Sequence, residues 1–108
     1  MHSILRIEHK DTNQGPYREE SNSSIKAITN SHLGGQEQYP CPWDDIGIQR
    51  SPSPNEFCGF KDVKQLRKWF SSEELAVFKK EGYLVKRLSL DDVLVTEIGE
   101  CQVLFTYN

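Results

Sequence analysis

Arg6 is the first side chain in this sequence whose type and position could do chemistry. It stands between Ile4 and Glu8 in an alternating run, Ser-Ile-Leu-Arg-Ile-Glu-His. A guanidinium on a strand face can grip an anionic ligand with its planar fork. It can equally face solvent and pair with Glu8 or a neighbouring carboxylate. Further along, Gly15-Pro16-Tyr17-Arg18 is a turn that presents an aromatic ring and a guanidinium together. Such a pair stacks on a nicotinamide or a base and holds a phosphate; alternatively, Tyr17 folds down as a lid on the core. The most distinctive run is Tyr39-Pro40-Cys41-Pro42-Trp43-Asp44-Asp45. Its rigid prolines, large aromatics and adjacent carboxylates would offer a partner surface anchors at low entropy cost. In the competing reading Trp43 plugs the core and Asp44 or Asp45 caps the next turn. Near the end, Glu97, Glu100 and Gln102 surround a predicted hairpin, either as site residues or for simple solubility.

Other chemistries lack their residues. His2, His9, His32, Cys41, Cys58 and Cys101 form no Cys-x-x-Cys pair and no zinc-like spacing, so no metal is expected. No base is placed beside a thiol, and there is no Gly-x-Gly-x-x-Gly or phosphate loop. The Phe70/Ser71 junction has no glycine, and the helix after it opens on Ser72-Glu73-Glu74. Acids at that reading end repel phosphate, which argues against a DNA-binding helix-turn-helix.

The elements that must position these residues are read from periodicity. Residues 3–9 predict a strand with Ile4, Arg6 and Glu8 on one face and Leu5, Ile7 and His9 on the other. The run 11–15 is turn chemistry, and Gly15-Pro16 ends the strand. Residues 24–30 suggest a short helix around Ile25, Ala27 and Ile28. Gly34-Gly35, the prolines at 40 and 42, and Ser51-Pro52-Ser53-Pro54 then mark a long loop. Phe60, Val63, Leu66 and Phe70 recur at helical spacing, predicting a helix over 62–70. Ser71 with Glu74 is a capping box that opens a second helix over about 72–81, closed by Gly82. Residues 84–90 predict a strand, and 93–97 with 101–107 a hairpin. The expected fold is α+β: a mainly antiparallel sheet of about four strands, a short helical pair on one face, and a long proline-rich loop. Phe60, Val63, Leu66, Phe70, Leu75 and Phe78 are expected to pack against Leu84, Leu88, Val103 and Phe105.

Composition sets the outer limits. At 108 residues the chain fits a single domain, 1–108. Of its 39 apolar residues, 25 fall in 57–108 and only 10 in 11–56, so the main core is expected in the former and a loop-rich segment in the latter. A net charge of −3 excludes a general nucleic-acid binder. No stretch nears the roughly 20 apolar residues of a membrane span, and the N-terminus lacks the apolar run of a signal peptide. Three unpaired-looking cysteines fit a reducing cytoplasm rather than a disulfide scaffold.

Taken in order, Leu5-Arg6-Ile7-Glu8, Gly15-Pro16-Tyr17, Pro40-Cys41-Pro42-Trp43-Asp44-Asp45, Cys58-Gly59-Phe60, Gln65-Leu66-Arg67-Lys68-Trp69-Phe70, Gly82-Tyr83 and Gln102-Val103-Leu104-Phe105 span most of the chain. The pattern resembles a family of short bacteriophage and prophage proteins, for which it implies no particular activity. Tyr39 stands where that pattern has a histidine, which argues against histidine chemistry at this position. More remotely, the chain is similar to ADP-ribosyltransferase-like folds, in which a first-strand arginine, a mid-chain aromatic and a late glutamate or glutamine surround NAD. That similarity would put Arg6, Tyr17 and Glu100 or Gln102 in those roles. Two functions follow as expectations. One is a binding protein of a phage or mobile element that blocks a host protein, as an inhibitor of bacterial immunity would, without a cofactor and through Tyr39, Trp43, Asp44 and Asp45. The other is an NAD-dependent transferase-like enzyme, or an inactive relative that still binds a nucleotide.

Overall fold

The computed structural model describes residues 2–19, 21–32 and 39–108; Gly34-Gly35 lies outside them. Strand β1, Ser3–His9, pairs antiparallel with β3, Tyr83–Ser89, in a register from Ser3 opposite Ser89 to His9 opposite Tyr83. A second antiparallel sheet holds β2, Phe57–Gly59, and β4, Val93–Ile98, on either side of β5, Val103–Tyr107. The sheets meet where Leu5 and Phe60 exchange both backbone hydrogen bonds at 2.7 Å. Three helices complete an α+β fold: α1 at Ser23–Ser31, α2 at Val63–Trp69 and α3 at Ser72–Lys80.

The helices start where the sequence supplies oxygen acceptors. The Asn22 side chain accepts from the Ile25 amide, Asp62 accepts from Gln65, and Ser71 with Glu74 forms the full reciprocal box. Each pairing satisfies a backbone donor that the first helical turn leaves open. Gly82, at φ 92°, turns the chain from α3 into β3. No helix among the described residues is long and apolar enough to cross a membrane.

Strand β1 is a wall between two clusters. Its odd face sends Leu5 and Ile7 to the helices, where they meet Ile25, Phe60, Leu66, Trp69, Phe70, Phe78 and Tyr83. Its even face sends Ile4 towards Val93, Val103 and Phe105 of the second sheet. This division corrects the expected single core. Phe60, Leu66, Phe70 and Phe78 are buried as expected, with Leu75 packed alongside. Val103 and Phe105, however, belong to the other cluster, with Leu88 packed against it. Val63 and Leu84 are exposed, because α2 turns its first residue outward and Leu84 lies on the face of β3 opposite Tyr83. Phe60 precedes α2 and serves the bridge to β1. The middle of the first half is less bare than its composition suggests, since Ile25 and Ile48 are both buried.

Candidate functional site

Proline-fixed segments and the end of β1 enclose a cavity of about 490 Å³, bordered by Arg6, Gly15, Tyr17, Tyr39, Trp69 and Gln102 among others. That volume lies within the roughly 300–1,000 Å³ of small-molecule pockets. One wall is the arc of prolines 52 and 54, closed by an ion pair at its ends. Arg50 grips the Glu56 carboxylate with two hydrogen bonds of 2.7 and 2.8 Å and reaches Glu97 at 3.2 Å. Thr96 and the Ser53 amide also donate to Glu56. Together, the Arg50 contacts first of all, these bonds hold the Glu56 carboxyl well below the usual carboxylate range.

Arg6 is only 7% exposed. Its Nε donates to Glu8 at 3.0 Å and its Nη1 to the Cys58 carbonyl at 3.2 Å. The guanidinium lies over the Phe57 ring, 4.9 Å from its centroid. Glu8 also binds Lys86 at 2.7 Å and accepts from the Tyr107 hydroxyl at 3.2 Å. Burial by itself would raise the Glu8 carboxyl, but these donors outweigh it and hold the group below its ordinary value. The pairing expected of Arg6 is therefore present, buried rather than facing solvent, because β1 lies between two packed layers.

A line of hydrogen bonds crosses the helix side of the cavity. The Trp69 indole N–H donates to the Tyr17 oxygen at 2.7 Å, which leaves the Tyr17 proton to go to His32 Nδ1 at 3.3 Å. His32 Nε2 then donates to Glu74 at 2.8 Å, and Tyr39 stacks on the imidazole at 4.0 Å. This order of donors assigns the ring proton to Nε2. Hydroxyl, imidazole and carboxylate stand in the order of an acid–base relay. Loss of solvent around the Tyr17 hydroxyl, however, pushes it up to about 12. At neutral pH it is a phenol that positions its neighbours and not a phenolate nucleophile. Desolvation likewise pushes up the Cys58 thiol on the cavity wall.

The loop over 39–45 is clamped from both ends. Gln102, buried, donates to the Pro40 carbonyl at 2.8 Å. Asp45, 1% exposed, accepts from the Glu100 amide at 2.7 Å and from the Cys101 amide at 3.2 Å. Gly99 makes room for that carboxylate, since a Cβ there would come within 2.5 Å of it. Gly47, at φ 99°, lets the following turn lie on the Ile98 carbonyl. Between the clamps, the short 3-10 turn Pro42–Asp44 leaves Trp43 52% exposed and Asp44 exposed. Trp43 is thus no core plug. Asp45 closes the 3-10 turn with its backbone, and its carbonyl accepts from the Ile48 and Gln49 amides, while its buried carboxylate is used on the turn of the β4–β5 hairpin.

The structure brings Arg6, Tyr17, Tyr39 and Gln102 around one cavity. It leaves Glu100 exposed at the hairpin tip, outside the cavity lining. Trp43 and Asp44 lie on the outside of the loop whose Cys41 and Pro42 form part of the cavity wall. Sequence reasoning missed His32, Trp69 and Gln65. Gln65 is buried and donates to the Gly99 and Glu100 carbonyls at 3.3 and 3.0 Å, tying α2 to the hairpin. The signal for His32 was its place just after a short helix, which carries no information about the partners that fold onto it.

Fold and site define a class: a small α+β protein of two antiparallel sheets, with a cavity walled by prolines and aromatics and a clamped loop beside it. The Bacteriophage T4 Y00F protein family matches residues 1–108, and the chain belongs to that family. No curated protein and no solved structure matches the chain, so the similarity to ADP-ribosyltransferase-like folds gains no support from any relative.

Proposed function

We propose that this phage-family protein acts by binding and blocks a host protein through the face that carries Trp43 and Asp44, as an inhibitor of bacterial immunity would. The observation that carries this reading is an exposed tryptophan on a backbone held rigid from within. A small protein poor in apolar residues over 11–56 leaves Trp43 half-exposed and Ile46 67% exposed. The Glu100 amide donates to the Ile46 carbonyl at 2.9 Å, which sets Ile46 beside the turn that follows the exposed Ile98. Aromatic and aliphatic anchors of this kind mark protein interfaces. The Asp45 and Gln102 clamps settle the ordering of the loop before any partner arrives. Full-length protein immobilised on a support should capture a host protein from bacterial lysate, and Trp43→Ser, with an unchanged melting temperature, should lose it. Equal capture by Trp43→Ser would place the contact elsewhere.

A second reading, nucleotide binding without group transfer, is favoured by a separate observation. Arg6, Tyr17 and Gln102 line one cavity, while Glu100, the carboxylate that transfer chemistry would need to stabilise developing positive charge, lies outside its lining.

A further inference from the structure

We propose that the cavity holds an anion-binding point formed by the outer edge of the Arg6 guanidinium, taking the phosphate or carboxylate of a small ligand that carries a flat ring. The proposal rests on the second reading above and names the group that would recognise the ligand. Two of the three Arg6 nitrogens are occupied, Nε by Glu8 and Nη1 by the Cys58 carbonyl. Nη2, with two N–H groups, meets no acceptor among the described residues. It points past Gly15, where even an added Cβ would stand 3.8 Å away, and both residues line the cavity. The guanidinium is therefore fixed in direction by its two bonds, and although Arg6 as a whole is only 7% exposed, its Nη2 is open on the side where the cavity begins.

The charge balance favours an anion. Glu8 carries one negative charge but faces two cations, Arg6 at 3.0 Å and Lys86 at 2.7 Å, so the cluster keeps one positive charge. Glu56, an acid on the cavity wall, shares Arg50 with Glu97, so that second cluster keeps one negative charge, which the guanidinium of Arg18, also in the lining, offsets. A pre-aimed cation in a site sheltered from water recognises a phosphate or carboxylate strongly, because neither partner is reordered on binding. Tyr17, Tyr39 and Trp69 supply flat aromatic surface within the same cavity.

Gly15 provides the test, because its φ of −73° and ψ of 164° suit any L-residue ahead of a proline. Gly15→Val would cover Nη2 while leaving the Arg6–Glu8 pair in place. Calorimetric titrations of the full chain at low salt would use adenosine 5′-monophosphate, adenosine, benzoate and inorganic phosphate. Adenosine monophosphate or benzoate should bind at least tenfold more tightly than adenosine, and Gly15→Val should lose that preference at an unchanged melting temperature. Arg6→Lys, which keeps the charge and loses the fork, should weaken the anion in the same way. The tighter of adenosine monophosphate and benzoate identifies the headgroup as phosphate or carboxylate. Inorganic phosphate binding as tightly as the ring-bearing anions would overturn the ring requirement. Equal binding of adenosine and its monophosphate, unchanged in Gly15→Val, would overturn the anion point and leave the cavity reading standing. No binding by any of the four would overturn both.

Discussion

Two neighbouring aspartates do opposite jobs. Asp44 is exposed, while Asp45 receives two backbone amides from a turn 55 and 56 residues along the chain. Asp45→Ala would leave those amides without their charged acceptor and should cost about 1.5–3 kcal/mol in a urea melt. Asp44→Lys should stay within about 0.5 kcal/mol of wild type. The carboxylates also set the acid limit of stability. Glu19 accepts from the Ser21 amide and hydroxyl, from the Asn22 amide and from the Tyr83 hydroxyl. The Ser21 amide first and these other donors with it bring its carboxyl from 4.5 down to about 2. A carboxyl depressed by folding stabilises above its ordinary value, and the contribution is lost as pH falls through the folded value. Glu8 and Glu56 shift in the same direction. The urea midpoint should therefore drop as pH falls from 4.5 to 2. Glu19→Gln should drop less over that window; an identical decline would show that Glu19 takes no part.

Among the elements, α2 does more than cover a sheet. Its inner face places Leu66 and Trp69 in the main cluster, and its buried Gln65 holds the carbonyls of the β4–β5 turn. Leu66→Ala should cost about 2–5 kcal/mol, and an unchanged denaturant midpoint would remove α2 from the core. The helices α2 and α3, the alternation of β1 and the β4–β5 hairpin were all legible in sequence, because each carries its own period, cap or turn signal. Strand β2 was not, since three residues are too few to show alternation and its backbone partner, β5, begins 44 residues later. Val63 follows the helical period yet lies outside the core; periodicity marks a stripe, and packing decides how much of it is covered.

For the whole molecule, the site was partly legible. The residue types around the cavity were singled out from the chain, but their arrangement depends on contacts between distant segments: Arg6 with Cys58, Tyr17 with Trp69, Gln102 with Pro40. No local pattern announces that Tyr39 turns inward onto His32 while Trp43, four residues on, turns outward. The outer faces of α2 and α3 carry ordinary mixed charge, with Lys64, Lys68, Glu73 and Lys80 all exposed, whereas the clamped loop offers Trp43 and Asp44 on a fixed backbone. In the proposed function this loop, and not the helical pair, meets the host protein. The most direct measurement is the affinity of the captured partner for wild type, for Asp44→Lys and for Lys68→Glu, each at an unchanged melting temperature. Asp44→Lys should weaken binding by about tenfold or more while Lys68→Glu should stay within about twofold. Wild-type affinity in Asp44→Lys, or a loss confined to Lys68→Glu, would place the contact on the helical pair or elsewhere and rule out the loop.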